Sequence, residues 1–165
     1  MSQTSYSYTS GAPLEGSLGS TRNQVVVAKR NNSGSDIPYG RFVVHDSGTG
    51  TSEMAIKLPS ASGDMIVGVL VHSHAHNPSN TTGLLDDDIG NVLMEGDVWM
   101  IAEEALTVDD PVFVRYDATG ATGSQALGRV RDDADTSKAV AATNCRFLTN
   151  AAAAGDAILV RVNLP

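Results

Sequence analysis

The chain of 165 residues has a single cysteine, Cys145, and so can form no disulfide within itself. Cys145 stands beside Arg146 and Phe147 in a strand-like run. It reads there as a small buried hydrophobe, because a nucleophile needs a general base that the sequence does not place near it. Aromatic residues make up only 5%, with one tryptophan. Trp99 lies in the apolar run Val98–Ala102 and is expected in the core, an interface position being the alternative. Positive charge is sparse: 11 Lys and Arg against 19 Asp and Glu give a formal net charge of −8. No basic block occurs, which argues against direct nucleic-acid binding, where phosphate counterions must be displaced, and against a membrane-surface role. No stretch approaches the ~18 continuous apolar residues of a membrane span. Residues Met1–Ser17 lack the basic-then-apolar order of a signal peptide, so the chain is expected to be made in a cytoplasm and used there or released by lysis.

What remains is a turn-rich chain, 41% hydrophobic, with Gly, Ala, Ser, Thr, Asn and Asp prominent. Its apolar runs are short and bounded by turn residues. Val25–Ala28, Gly40–His45, Met54–Leu58, Met65–His72, Val92–Met94, Val98–Ala102, Val112–Tyr116, Leu127–Val130, Asn144–Leu148 and Ala157–Leu164 read as strands. Asp132–Ala142 reads as either a short helix or an acidic loop. No βαβ alternation or solenoid repeat is visible, so the fold class is all-β, a small sandwich or barrel of short strands. Residues 1–22, rich in Ser, Thr, Gly and Tyr, form a separate compositional block. They are expected to be an extended N-terminal arm before a single β domain over 23–165.

Three places hold residue types capable of chemistry. His72, His74 and His76 alternate, so a strand would put all three imidazoles on one face, with Asp86, Asp87 or Asp88 near enough in sequence to add a carboxylate. Such a site would suit zinc and, with an open ligand position, hydrolysis. Yet same-face neighbours in a strand stand about 7 Å apart, too wide for one tetrahedral ion, and Ser73, Asn77 and Pro78 end the strand near His72. A zinc isopeptidase signature fails after its first two histidines, since Thr82 and Leu85 fall where serine and aspartate belong. Asp86–Asp88 and Asp132-Asp133 lack the spacing of an EF-hand and read as solvated acidic turns. No nucleophile elbow or phosphate-binding loop is present. The sequence therefore predicts no catalytic, cofactor-binding or metal-ligating residues, and no enzyme.

The strands themselves carry a resemblance. Gly11-Ala12-Pro13 in the arm, Ile66–His72, Glu95-Gly96-Asp97-Val98-Trp99-Met100, Val108-Asp109-Asp110-Pro111-Val112-Phe113-Val114, and Cys145–Leu148 through Ala157–Leu164 together resemble the structural cement, or capsid decoration, proteins of tailed bacteriophages. Asp109 departs from the pattern, standing where that family usually has glycine. The resemblance implies a virion structural protein on the outer capsid surface. It implies a homo-oligomer, often a trimer, that bridges major capsid protein subunits, with no catalytic residues. Two other readings are a phage tail or baseplate adaptor, and a small metal-binding module or hydrolase built on His72, His74 and His76.

Overall fold

The computed structural model describes residues 13–19, 23–48, 53–72 and 82–164. Twelve strands follow in order: β1 Val25–Asn31, β2 Ile37–Pro38, β3 Phe42–His45, β4 Ala55–Lys57, β5 Ile66–Val71, β6 Gly83–Leu84, β7 Ile89–Ile101, β8 Phe113–Arg115, β9 Val130–Arg131, β10 Ala139–Ala141, β11 Arg146–Phe147 and β12 Ala157–Asn163. Among the described residues there is no helix.

The main sheet runs β1-β4-β3-β5-β7-β12-β11, and β1 also pairs with β7. That extra pairing closes β1, β4, β3, β5 and β7 into a five-stranded barrel. Closure leaves no open edge within the ring. All of its pairings are antiparallel except β1 with β4. Each ring strand gives one residue to an inner cluster: Val27, Ile56, Val43, Leu70 and Val92, joined by Ile37, Tyr39 and Leu84. The next residues along the strands, Phe42, Val69, Val71 and Leu93, belong to a second and larger cluster. This is the two-residue period of a strand, which sends neighbours to opposite faces. The larger cluster fills the space between the barrel wall and a small sheet of order β10-β8-β9, and takes in Val98, Met100, Val114, Val130, Phe147, Ile158 and Val160.

β7 ties the two parts together. Its first half lies in the ring, with β1 on one edge and β5 on the other. Its second half pairs with β12 from Glu95↔Asn163 to Ile101↔Ala157. The sequence suggests two strands here, split at Glu95-Gly96-Asp97; the structure has one. Gly96 sits at φ 139°, a conformation nearly closed to residues with a Cβ, so the strand bends there without stopping.

The described part of the N-terminal block runs along the same strand. Gly16 N–H donates to the Trp99 carbonyl (2.8 Å), Trp99 N–H to that of Ser17 (2.9 Å), and Gly19 N–H to that of Asp97 (2.8 Å). On the opposite side His72 N–H donates to the Gly16 carbonyl at 2.8 Å.

Between the helix and the loop suggested for Asp132–Ala142, the structure chooses a tight turn and then β10. Asp135, Thr136 and Ser137 are left-handed, at φ 42°, 54° and 66°, which no right-handed helix permits.

Candidate functional site

Among the described residues, those singled out for chemistry do not converge. His72 directly follows β5, half-buried, its ring edge-on to Tyr39 with centroids 4.8 Å apart. His74 and His76 lie outside the described residues. The three aspartates of the β6–β7 turn go separate ways. The Asp86 carboxylate accepts from Gly34 N–H at 2.9 Å, and Asp87, at φ 65°, pairs with Arg30 at 2.7 Å. Both partners of that pair are exposed, so it adds little stability.

Among the described residues, one trio of carboxylates, Glu104, Asp132 and Asp133, brings ligand atoms within 4.8 Å of one another. A guanidinium already serves them: Arg131 Nη2 is 3.2 Å from Glu104 and 2.7 Å from Asp133. Burial pushes the Glu104 carboxyl above the ordinary carboxylate range, with the Asp132 charge adding to it while Arg131 pulls the other way.

Cys145 packs against the larger cluster and is half-buried. Burial drives its thiol up to about 11, although an N–H from Asn163 pulls against this. Only about a thousandth of it is thiolate at pH 8, and the thiolate is the reactive form. A disulfide-exchange reagent such as Ellman's should therefore react at least about a hundredfold more slowly with the folded protein than with the chain in denaturant; similar rates in both would contradict the burial of this thiol.

Trp99 corrects the core expectation. Its neighbours Val98 and Met100 are fully buried, but Trp99 is half-buried and faces away from both clusters. It shares its face with Leu159, its half-buried partner on β12, and with the pair Asp97–Arg161. That pair is bidentate, Arg161 Nε donating to Asp97 at 2.7 Å and Nη2 at 3.0 Å. Beside it opens a surface groove of about 840 Å³ lined by Glu95, Asp97, Asn144, Arg146 and Arg161 among others. The outer wall of the barrel leaves Val25, Val26, Met54 and Ile89 exposed.

The most elaborate polar construction is one the sequence did not reveal. Glu103, just after β7, is fully buried at its side chain. Arg115 Nε on β8 donates to both its oxygens at 2.8 Å, Ala126 N–H donates at 3.0 Å and Arg131 Nη1 on β9 at 3.3 Å. Arg115 Nη2 also reaches Asp135 at 2.7 Å, and this hydrogen bond, helped by the Arg131 charge and opposed by burial, sets the Asp135 carboxyl below the ordinary range. The left-handed turn at 135–137 delivers Asp135 to this arginine. Nothing here resembles a nucleophile with its base. The charges neutralise one another and bind the small sheet to the barrel. What the described residues offer outward is the exposed apolar side chains of the barrel wall and the polar groove beside Arg161.

The family model for structural cement protein (E217 gp24/Pam3 gp6) matches residues 2–163. A chain in the capsid of Myoviridae phage XM1 is similar in structure with a TM-score of 0.67, at 20% identity over 99% of this chain and 97% of that one. The head fiber gp8.5 N base in bacteriophage phi29 aligns at 13% identity over 86% of this chain and 95% of that one, with a TM-score of 0.46. No curated protein matches.

Proposed function

Because the chain belongs to the structural cement protein family of phages, we propose that it binds the outer surface of the capsid as a homo-oligomer, a trimer by preference, and stabilises the shell by bridging major capsid protein subunits. The match over residues 2–163 carries this reading, since it takes in the arm, the barrel and the closing strands together. The fold supports it. A closed barrel with its ring edges satisfied is a stiff spacer that does not polymerise through its own strands. The exposed apolar side chains on its wall supply contact area, worth about 25 cal/mol for each Å² buried, less the cost of ordering.

Modest contacts suffice, because many copies, each touching two capsid subunits, convert weak affinity into avidity. The net charge of −8 suits a position outside the shell, away from packaged nucleic acid. We further propose the division of labour suggested by the sequence: residues 1–22 as the arm that extends contacts, and 23–165 as the body. The role requires no catalytic residue, metal or cofactor.

Particles prepared without this protein are the test. They should lose integrity at lower temperature and in low salt than complete particles, and adding back purified protein should restore them. Undiminished robustness of the bare particles would falsify the stabilising role. Protein density on the tail with none on the head would favour an adaptor instead.

A further inference from the structure

Glu15 is the one acidic residue in the described part of the N-terminal block, and it enters a nest of arginines. Its carboxylate lies between Arg41, 3.5 Å from Nε, and Arg129, 3.6 Å from Nη2. Arg41 has only 8% of its side chain exposed, and neither its Nε nor its Nη1 has a hydrogen-bond partner. The same holds for Arg129 Nε and for Glu15 Oε1. The carboxylate thus offsets one buried and one half-buried positive charge across distances slightly too long for direct hydrogen bonds, and Arg129 also donates from Nη1 to the Ser124 carbonyl. The backbones meet closely at this point: a Cβ on Gly16 would come within 2.8 Å of Gly40 N and of Tyr39 Cβ, and one on Gly40 would strike Glu15 itself.

We infer that Glu15 is an electrostatic latch, whose charge decides whether residues 13–19 stay seated on β7 or lift away from an otherwise intact barrel. The reasoning turns on what dries the arginines. With the segment seated, Arg41 is deeply buried and its pKa falls to about 10, burial being the largest cause and Glu15 the main opposing one. Remove the carboxylate charge, and the seated state holds two mutually repelling guanidiniums without their nearest counter-ion, with only the weaker pull of Glu103 left on Arg41. Lifting the segment returns both to water. The variant therefore penalises the seated state and spares the lifted one, whereas the barrel's own pairings do not pass through Glu15.

The free, full-length protein provides the test, independently of any capsid. In Glu15→Gln, the amides of Gly16, Gly19, His72 and Trp99, which bond across the segment's two edges, should exchange with solvent about tenfold faster or more. The emission of Trp99, the only tryptophan, should move to longer wavelength as its surroundings gain water. The amides of Leu148 and Leu164, bonded to Leu159 and Met94 in the second half of the main sheet, should keep their rates. A control, Ser17→Ala, deletes the 2.6 Å hydrogen bond from Ser17 Oγ to the Leu14 carbonyl but leaves the charge; it should change the four rates by less than about threefold. Unchanged exchange in Glu15→Gln overturns the latch. So does equal acceleration in the control, which would mark the segment as generally loose, or acceleration spread over the whole molecule, which would make Glu15 part of the global fold.

Discussion

Glu103→Ala should destabilise the protein by about 3–5 kcal/mol, the range for removing one partner of a buried ion pair. The loss is large because the carboxylate serves three donors at once. Arg115, with 1% of its side chain exposed, and Arg131, with 6%, would both remain buried with less compensating charge. Ala126 N–H would lose its acceptor as well. For a chain of this size the midpoint of thermal unfolding should drop by about 6–20 °C. Glu103→Gln should cost less, since an amide oxygen still accepts one of these bonds. Arg115→Met should be better tolerated in the Glu103→Ala background than alone, because the two removals share a single lost interaction. Calorimetry of the four proteins checks this. Additive losses would mean that Glu103 and Arg115 are not coupled.

Phe42→Ala is expected to cost a similar amount, about 3–5 kcal/mol, by a different mechanism. Phe42 is fully buried and belongs to the cluster between barrel wall and small sheet, while its neighbour Val43 belongs to the barrel interior. Its backbone N–H also donates to the Gly128 carbonyl at 2.9 Å, in the loop leading to β9. Truncation would leave a void where two modules meet, and close packing on both sides limits collapse into it. Val43→Ala, inside the ring, deletes fewer atoms and should cost less. Denaturant titration of the two variants gives the comparison, and a smaller loss at Phe42 than at Val43 would contradict the placement of the main core outside the ring.

The strands were readable where side chains speak for themselves. Ile66–Val71 is apolar enough to be a buried strand on composition alone, and Ala157–Asn163 alternates as a strand should. Readability failed where a long-range partner decides local form. Glu95-Gly96-Asp97 has the look of a turn, yet Gly96 bends and β1 and β12 hold the strand in one piece. Asp132–Ala142 has helix formers, yet Arg115 and Arg131 draw in Asp135 and Asp133 and impose a left-handed turn. Closure of the ring was equally hidden, since the pairing of β1 with β7 joins residues 59 to 70 apart in the chain. Nothing in the acidic pair Glu103-Glu104 marks Glu103 for burial, because burial of that carboxylate depends on Arg115 and Arg131, which arrive later in the chain. Trp99 was misplaced for a related reason: alternation assigns it to one face of β7, but not which face the core occupies.

The long strand β7 also has a mechanical meaning. It is flanked on both edges along most of its length, by β1 and β5 at one end and by residues 16–19 and β12 at the other. A pull along its axis would load these rows of hydrogen bonds side by side, in shear, rather than peel them open one after another. For the proposed role of bridging neighbouring subunits, that is the orientation in which a sheet yields last.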